Sequence, residues 1–317
     1  MALLGRHMYS AYLPLLADAG AHDLVKESHC LRIYKSEDQW RAEVLATELR
    51  RRAGIDLAEV SKEELRALEP NVAGDFTFAI KVAKRRSVTN PGRLVEKFYD
   101  HLRAQGTEVV TGRVVGFERA GKTVQAAILE DSRTIKGGQF VIAAGAWSAQ
   151  LTRQLGDRMP LESERGYHVM LPEASSLLNG TIVYPGRGLA MSRMEQGLRC
   201  SGVVELAGLT APPDEWRREK LLQAACEVVP SLASHRATAG KLWLGHRPSM
   251  PDSLPVIDRA RAFLNTFYAF GHGHMGLGWA AITGLLLSQL MRNEAPLMDL
   301  APFRTNRFRL LSASGPD

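Results

Sequence analysis

The chain has 317 residues, of which 45% are hydrophobic and 23% charged, and its formal net charge is +6. This length can bury a large core in one or two domains, and the composition is ordinary for a globular protein, which excludes disordered and fibrous classes. The basic residues are scattered apart from two short runs, and a solvated surface explains these runs better than nucleic-acid binding, so no nucleic-acid partner is expected.

The cysteines and the apolar segments bear on the cellular location. Three cysteines lie far apart and match no metal-ligand spacing, which predicts a reduced compartment and no metal site. The longest apolar stretch is too short and too interrupted for a transmembrane segment, and no signal-peptide core is visible near the N-terminus. These patterns favour a cytoplasmic protein, with peripheral attachment to the inner membrane as an alternative. The cysteines are Cys30, Cys200 and Cys226.

The first 70 residues have mostly helical patterns. Residues 37–52 show helical charge pairing, and Ser61 with Glu64 forms a capping-box pattern at the start of another helix. Residues 31–34 are the one short strand expected here, and Pro70 closes the segment. We therefore predict a helical N-terminal region.

The next segment alternates between helix and strand. Asn90 and Pro91 predict the start of a helix, which Gly106 ends. Strands are predicted at residues 108–110 and 113–117, a hairpin at 122–129 and 133–135, and a buried strand at 139–143. A turn at Gly145 then leads into a helix through Leu155.

Residues 159–245 have a different character. Short extended runs at residues 168–171, 181–184, 189–192 and 198–204 are separated by glycines, a pattern typical of an antiparallel sheet. An amphipathic helix is predicted at residues 216–229, followed by a strand at 241–244. This segment of the chain therefore predicts a domain built on an antiparallel sheet.

A glycine-rich stretch near the C-terminus is the strongest local signal. An apolar run at residues 263–270 predicts a buried strand, and a helix is predicted from Leu277, with Gly284 on it. Glycines in the order strand, turn, helix let a backbone approach an anion closely. The four glycines assigned to the turn itself are Gly271, Gly273, Gly276 and Gly278.

A portion of this turn satisfies the dinucleotide pattern G-x-G-x-x-G, but that match is weak alone. The fingerprint needs a second strand and an acidic residue about 20 positions later, and neither follows. We therefore do not interpret it as a pyrophosphate loop. Such a helix start can serve another anion, such as a reduced flavin ring, and the alternative is a tight turn that packs the last helix against a sheet.

Four separated motifs together resemble one family. They are VIAAGAWS at residues 141–148, RGYH at 165–168, GHRPSMPDSLPVI at 245–257 and GHGHMGLG at 271–278. In this order they resemble the D-amino-acid oxidase-like family of FAD-dependent oxidoreductases, with the bacterial D-amino-acid dehydrogenases as the most similar members. The resemblance covers nearly the whole chain.

The resemblance implies both fold and reaction. It implies a mixed α/β (α+β) flavoprotein oxidoreductase fold with an antiparallel-sheet substrate domain, and FAD as cofactor. It also implies oxidation of the Cα–N bond of an amino acid, a D-amino acid above all. Hydride transfer to the flavin would give an imine and then a keto acid, with a quinone or oxygen as the electron acceptor.

The resemblance also implies roles for individual residues. Arg247 would grip the substrate carboxylate, which a guanidinium fork matches well, and His274 and Tyr167 would face the substrate. Val114 would meet the adenine. The turn that passes the nucleotide would contain Gly145 and Trp147, and the loop beside the flavin ring would contain Gly271, Gly273, Met275, Gly276, Leu277 and Gly278.

The residues themselves leave structural alternatives open. Arg247 could be a surface ion-pair partner, His272 and His274 could be ordinary hydrogen-bonded loop residues, and Trp147 could belong to the core. The same holds for Tyr167 and His168, which need not face the substrate.

The resemblance implies a domain division. The flavin domain would comprise residues 86–158 and 246–310, the substrate domain would comprise residues 1–85 and 159–245, and residues 311–317 would form a tail. The family pattern begins with a strand, a glycine loop and a helix that hold the pyrophosphate, and nothing of this kind precedes Tyr9. We therefore expect a chain truncated at its N-terminus. The alternative to an enzyme is a truncated or split-gene fragment without independent activity, a subunit completed by a partner chain.

Overall fold

The computed structural model describes residues 2–83 and 85–308, so the predicted tail lies outside the described residues. The helices are α1 (Ala2–Asp18), α2 (Glu37–Ala42), α3 (Val44–Arg52), α4 (Lys62–Leu68), α5 (Pro91–Ala104), α6 (Ser148–Gln154), α7 (Trp216–Val228) and α8 (Gly276–Met291). Over those two ranges no helix has both the length and the apolar character needed to cross a bilayer.

The strands alternate with these helices along the chain. They are β1 (Val25–Glu27), β2 (Cys30–Tyr34), β3 (Leu57–Val60), β4 (Phe78–Val82), β5 (Arg86–Val88), β6 (Val114–Ala120), β7 (Thr123–Leu129), β8 (Thr134–Lys136), β9 (Phe140–Ile142), β10 (Glu162–Leu171), β11 (Thr181–Tyr184), β12 (Leu189–Met194), β13 (Gly197–Leu206), β14 (Trp243–Ser249), β15 (Val256–Arg259) and β16 (Thr266–Phe270). The mixed α/β class expected from the sequence is confirmed.

An eight-stranded sheet forms the larger half of the molecule, in the order β14-β10-β13-β12-β11-β2-β4-β3. Its neighbours are antiparallel except for the parallel pair β11 and β2. One face packs against α7 and α4 in the largest hydrophobic cluster, to which each fully buried leucine contributes roughly 1.5–3 kcal/mol. Leucines of this cluster include Leu31, Leu65, Leu198, Leu221 and Leu222.

The N-terminal region is less helical than predicted. β2, β3 and β4 all belong to the eight-stranded sheet, although only β2 is expected from the sequence. Leu57 pairs with Val82, and Cys30 pairs with the other side of the same residue. Such pairing joins residues far apart in the sequence, and a local pattern does not reveal it.

The predicted helix starts are confirmed at two places. Ser61 and Glu64 form a reciprocal capping box at α4, and the Asn90 side chain accepts a hydrogen bond from the Arg93 N–H at the start of α5. Each cap satisfies N–H groups that have no partner within the first helical turn.

A smaller sheet has the order β15-β16-β9, in which β9 and β16 are parallel. α8 packs against it and α1 packs against α8, with Leu4 of α1 fully buried among their side chains. The strands β6, β7 and β8 form the predicted hairpin and its extension. The predicted strand at residues 108–110 is wrong, because no described strand pairs with it and Val109 and Val110 are exposed.

The strand predicted at residues 241–244 is longer in the structure. β14 runs from Trp243 to Ser249, and it pairs with β10 along its whole length, whereas the sequence indicates only residues 241–244. Pro248 is tolerated because β14 is the edge strand of the sheet, where an absent N–H need not break a ladder. The predicted boundary at residues 245 and 246 falls inside this strand, and the domain division itself stays a prediction.

Candidate functional site

The strand register brings the predicted arginine onto the polar face of the large sheet. Directly opposite residues of antiparallel strands share a face, and Glu164 of β10 is opposite Arg247 of β14. Further along the same pair, Gly166 is opposite Gly245 and His168 is opposite Trp243. This polar face, the one turned away from α7, therefore carries Arg247 and Glu164 side by side.

Gly166 provides the space that the Arg247 guanidinium occupies. A methyl group at Gly166 would lie 2.1 Å from the guanidinium carbon of Arg247, so no side chain fits there without displacing the arginine. The signal in the sequence is a glycine in the middle of a strand, which often marks close approach of another group. Gly166 belongs to one of the four sequence motifs, but the motif alone assigns it no role.

The Arg247 guanidinium is half-buried and has no partner. In the described part of the chain it makes no ion pair within 4.0 Å, and its Nη1 atom is buried without a hydrogen bond. Burial lowers the pKa of Arg247, and the Glu164 carboxylate partly offsets this effect. Leaving a buried charged donor unsatisfied is costly, and among the described residues Arg247 does not form the surface ion pair considered above.

His274 lies at the same place. Its Nδ1 atom is 3.5 Å from Oε2 of Glu164. Burial lowers the pKa of His274, and the nearby Arg247 charge lowers it further while Glu164 raises it. The structure therefore brings together Arg247 and His274, two of the residues to which the resemblance assigns a role, and adds Glu164, which the sequence does not single out.

Tyr167 is the predicted site residue that lies elsewhere. Successive side chains of a strand point to opposite faces, and Tyr167 is on the face that packs against α7, with 1% of its surface exposed. Its hydroxyl donates to Oε2 of Glu205 over 2.5 Å, and Arg165 and Arg217 pair with the same carboxylate. The prediction that Tyr167 faces the substrate is therefore wrong.

The glycine turn is shorter than predicted. Gly271 and Gly273 form the loop, with φ of 84° and 52°, a region that favours glycine. Gly276 and Gly278 lie in the first turn of α8, whereas the sequence pattern assigns them to the loop. A bridge between Ser249 and His272 attaches this loop to the end of β14.

The two helical glycines have different surroundings. A methyl group at Gly278 would lie 2.7 Å from Sδ of Met8, so this glycine lets α1 approach α8. At Gly276 the nearest atom to such a methyl group is 3.7 Å away, which is ordinary contact. The fold itself therefore has a packing reason for Gly278 but none for Gly276. The neighbouring side chains of Met275 and Leu277 are 38% and 41% exposed.

The predicted nucleotide turn lies against the other side of β14. The turn Gly145–Trp147 is a short 3-10 helix, and the Trp147 ring is 45% exposed and 5.3 Å from the ring of His246. His246 in turn shares a hydrogen bond with Ser163 over 2.8 Å. Val114 belongs to the sheet formed by β6, β7 and β8. This sheet contacts α6, the helix that follows the turn, because the Gln154 side chain donates a hydrogen bond to the carbonyl of Val115.

Comparison with known proteins identifies the family. The family model described as "DAO: FAD dependent oxidoreductase" matches residues 1–290. A D-amino-acid oxidase of Bradyrhizobium diazoefficiens is 36% identical over 295 residues, which are 93% of this chain and 70% of that protein. The chain belongs to the DAO family of FAD-dependent oxidoreductases.

Further relatives agree with this assignment. The HcnC subunit of hydrogen cyanide synthase from Pseudomonas aeruginosa is 28% identical over 253 residues, covering 79% of this chain and 60% of that protein. The crystal structure of glycine oxidase from Geobacillus kaustophilus matches with a TM-score of 0.83 at 20% identity, over 96% of this chain and 81% of that chain. This TM-score shows that the chain and that glycine oxidase share a fold.

The residues around α8 fit the ring end of FAD, the cofactor of this DAO-family member. The first N–H groups of α8 have no partner within the helix and can face a negative charge. The open space at Gly276 admits a group beside the backbone, and the Ser249 hydroxyl at the loop is buried without a hydrogen bond. Met275 and Leu277 are exposed at the start of this helix and offer apolar surface for a flat ring.

Proposed function

We propose that this DAO-family chain oxidises the Cα–N bond of a D-amino acid to an imine, which water hydrolyses to a keto acid and ammonia. The single observation that supports this best is the unpartnered Arg247 guanidinium, which lies over Gly166 beside the α8 loop. A planar guanidinium offers two parallel donors to a carboxylate. An amino acid held in this way would place its Cα next to the start of α8.

The roles of the other residues follow from their positions. Glu164 is opposite Arg247 and near His274, so its carboxylate can hold the substrate ammonium group. The lowered pKa of His274 keeps that ring neutral near pH 7, which adds no further positive charge beside the amine. FAD, when bound, supplies the hydride acceptor, and the N–H groups at the α8 start would stabilise negative charge beside it.

The finer points of the activity belong to the same proposal. The D-configuration is supported by the 36% identity to a D-amino-acid oxidase, and either oxygen or a quinone would reoxidise the flavin, the latter at a membrane surface. We also propose that a partner chain or a further segment completes the cofactor site at β9. This strand is at the edge of its sheet, and Val141 on it is 41% exposed.

Anaerobic mixing of the purified flavin-containing protein with D-alanine tests the activity. We expect D-alanine to bleach the visible flavin band and L-alanine to leave it unchanged. Arg247→Ala should bleach far more slowly at the same flavin content. The matched control is Arg193→Ala on the exposed end of β12, which should behave as the wild type. A flavin band that no D-amino acid bleaches would contradict the proposal.

A further inference from the structure

A second arginine shares the polar face with Arg247. Arg199 of β13 is opposite Met170 of β10. Met170 is two positions from His168 on the same strand, so Arg199 lies on the same face as His168. Within residues 2–83 and 85–308, the Arg199 guanidinium makes no ion pair within 4.0 Å, and its Nε atom is buried without a hydrogen bond. Two arginines of one sheet face thus both have unsatisfied buried donors.

The two guanidiniums are anchored at different points of the face. The head group of Arg247 lies over Gly166, whereas Arg199 is anchored opposite Met170, four residues further along β10. At about 3.3 Å per residue this separates the two points by roughly 13 Å along the strand. His168 and Trp243 stack between them, with ring centroids 4.5 Å apart. The two residues are therefore anchored at separate points of the face, with this ring pair between the anchors.

The charges of the face do not balance. Burial lowers the pKa of Arg199, and the positive charge of Arg247 lowers it further, so the two cations repel each other. Burial also lowers the pKa of His168 to about 4, so its ring is neutral near pH 7. Glu164 is the carboxylate that acts on Arg247. One positive charge on this face is therefore uncompensated, and a zwitterionic substrate with a neutral side chain would leave it so.

We propose that Arg199 is a specificity-determining residue that binds a side-chain carboxylate, and that the preferred substrates are acidic D-amino acids. The inference rests on the proposed function, since Arg247 is taken to hold the α-carboxylate. A second carboxylate on Arg199 satisfies its buried donor and removes the excess charge. Acidic amino acids and their amides have nearly the same shape, so the charge alone distinguishes the members of each pair.

Steady-state kinetics with D-glutamate against D-glutamine, and D-aspartate against D-asparagine, tests the inference. We expect wild-type kcat/KM to favour at least one acid over its amide by on the order of 10- to 100-fold, as for a hydrogen bond between charged groups. Arg199→Met should remove this preference while leaving kcat/KM for D-alanine within about twofold. Arg199→Lys should retain part of it, because an ammonium keeps the charge without the fork.

Two controls separate the inference from its alternatives. Arg193→Met, an exposed arginine on neighbouring β12, should keep the wild-type preference. Calorimetric titration of each protein with glutarate, a dicarboxylate without an oxidisable Cα–N bond, should show weaker binding only for Arg199→Met. Equal kcat/KM for acid and amide, or equal losses on all substrates in Arg199→Met, would overturn the role of Arg199 while D-alanine oxidation still supports the proposed function. Absence of turnover with every D-amino acid would refute both.

Discussion

Replacement of Arg247 by alanine removes the group that we propose binds the substrate carboxylate. Breaking a buried charge pair costs about 3–5 kcal/mol, and the lower part of that range applies to a half-buried guanidinium. At about 1.36 kcal/mol per factor of ten, a loss of roughly 3–4 kcal/mol lowers kcat/KM by about 10²–10³-fold. Arg247→Lys should recover only part of this loss, because an ammonium lacks the planar fork.

The same variant makes a second prediction about stability. Arg247 makes no ion pair or hydrogen bond that its removal would break among the described residues, and its pKa is lowered because burial disfavours its charge. Its removal also relieves repulsion with Arg199. The melting temperature of Arg247→Ala should therefore equal or exceed that of the wild type, while the flavin content stays the same.

The assay follows flavin reduction by D-alanine under anaerobic conditions, with Arg193→Ala as the matched arginine control. Differential scanning calorimetry on the same samples measures the melting temperature. Near-normal kcat/KM in Arg247→Ala would refute the carboxylate assignment. A melting temperature lowered by many degrees would instead show that Arg247 supports the fold, against the geometry described above.

The protein has room for a methyl group at Gly276, so we expect Gly276→Ala to reduce the flavin content by obstructing the cofactor, without changing the circular dichroism spectrum. Gly284→Ala, on the same helix, also has open space around it and should retain its flavin. Equal flavin content in the two variants would contradict a contact between Gly276 and the cofactor. Burial holds the pKa of His272 at about 4, below the ordinary value of about 6.5. The stability that it contributes is therefore present above pH 6.5 and lost as the pH falls toward 4, by on the order of 2–3 kcal/mol; melting curves of His272→Gln should depend less on pH over this window. Tyr167→Phe removes the hydrogen bond to Glu205 and should cost about 1–2 kcal/mol of stability with kcat/KM for D-alanine unchanged, and a large fall in kcat/KM would return Tyr167 to the substrate face.

Local chemistry makes much of this fold predictable. The capping pattern at Ser61 and the Asn90-Pro91 start each depend on residues within one helical turn, and both helices begin there. The glycine turn after β16 is also predictable, because a run of apolar residues followed by closely spaced glycines is typical of a buried strand that ends in a tight turn. Gly271 and Gly273 have the positive φ that such a turn requires. Only its predicted division between loop and helix is wrong.

The predictions that fail depend on contacts distant in the sequence. The strands β3 and β4 form through pairing between residues about 25 positions apart, as for Leu57 and Val82. The wrong orientation of Tyr167 has a simpler cause, because adjacent residues of a strand point to opposite faces of the sheet. His168 lies on the face that carries Arg247, so Tyr167 lies on the other face. Glu164 and Arg199 give no motif, because only the register of β10 with its two neighbours brings them near Arg247.

The interlocking of Gly166 and Arg247 has a consequence for how this family can vary. A side chain at position 166 and an arginine at position 247 cannot both occupy the space over β10. A larger residue at position 166 therefore requires the Arg247 side chain to leave its position over β10. Among homologues, the two positions should change together, and a chain with a bulky residue at 166 should have a differently placed arginine and a different substrate orientation.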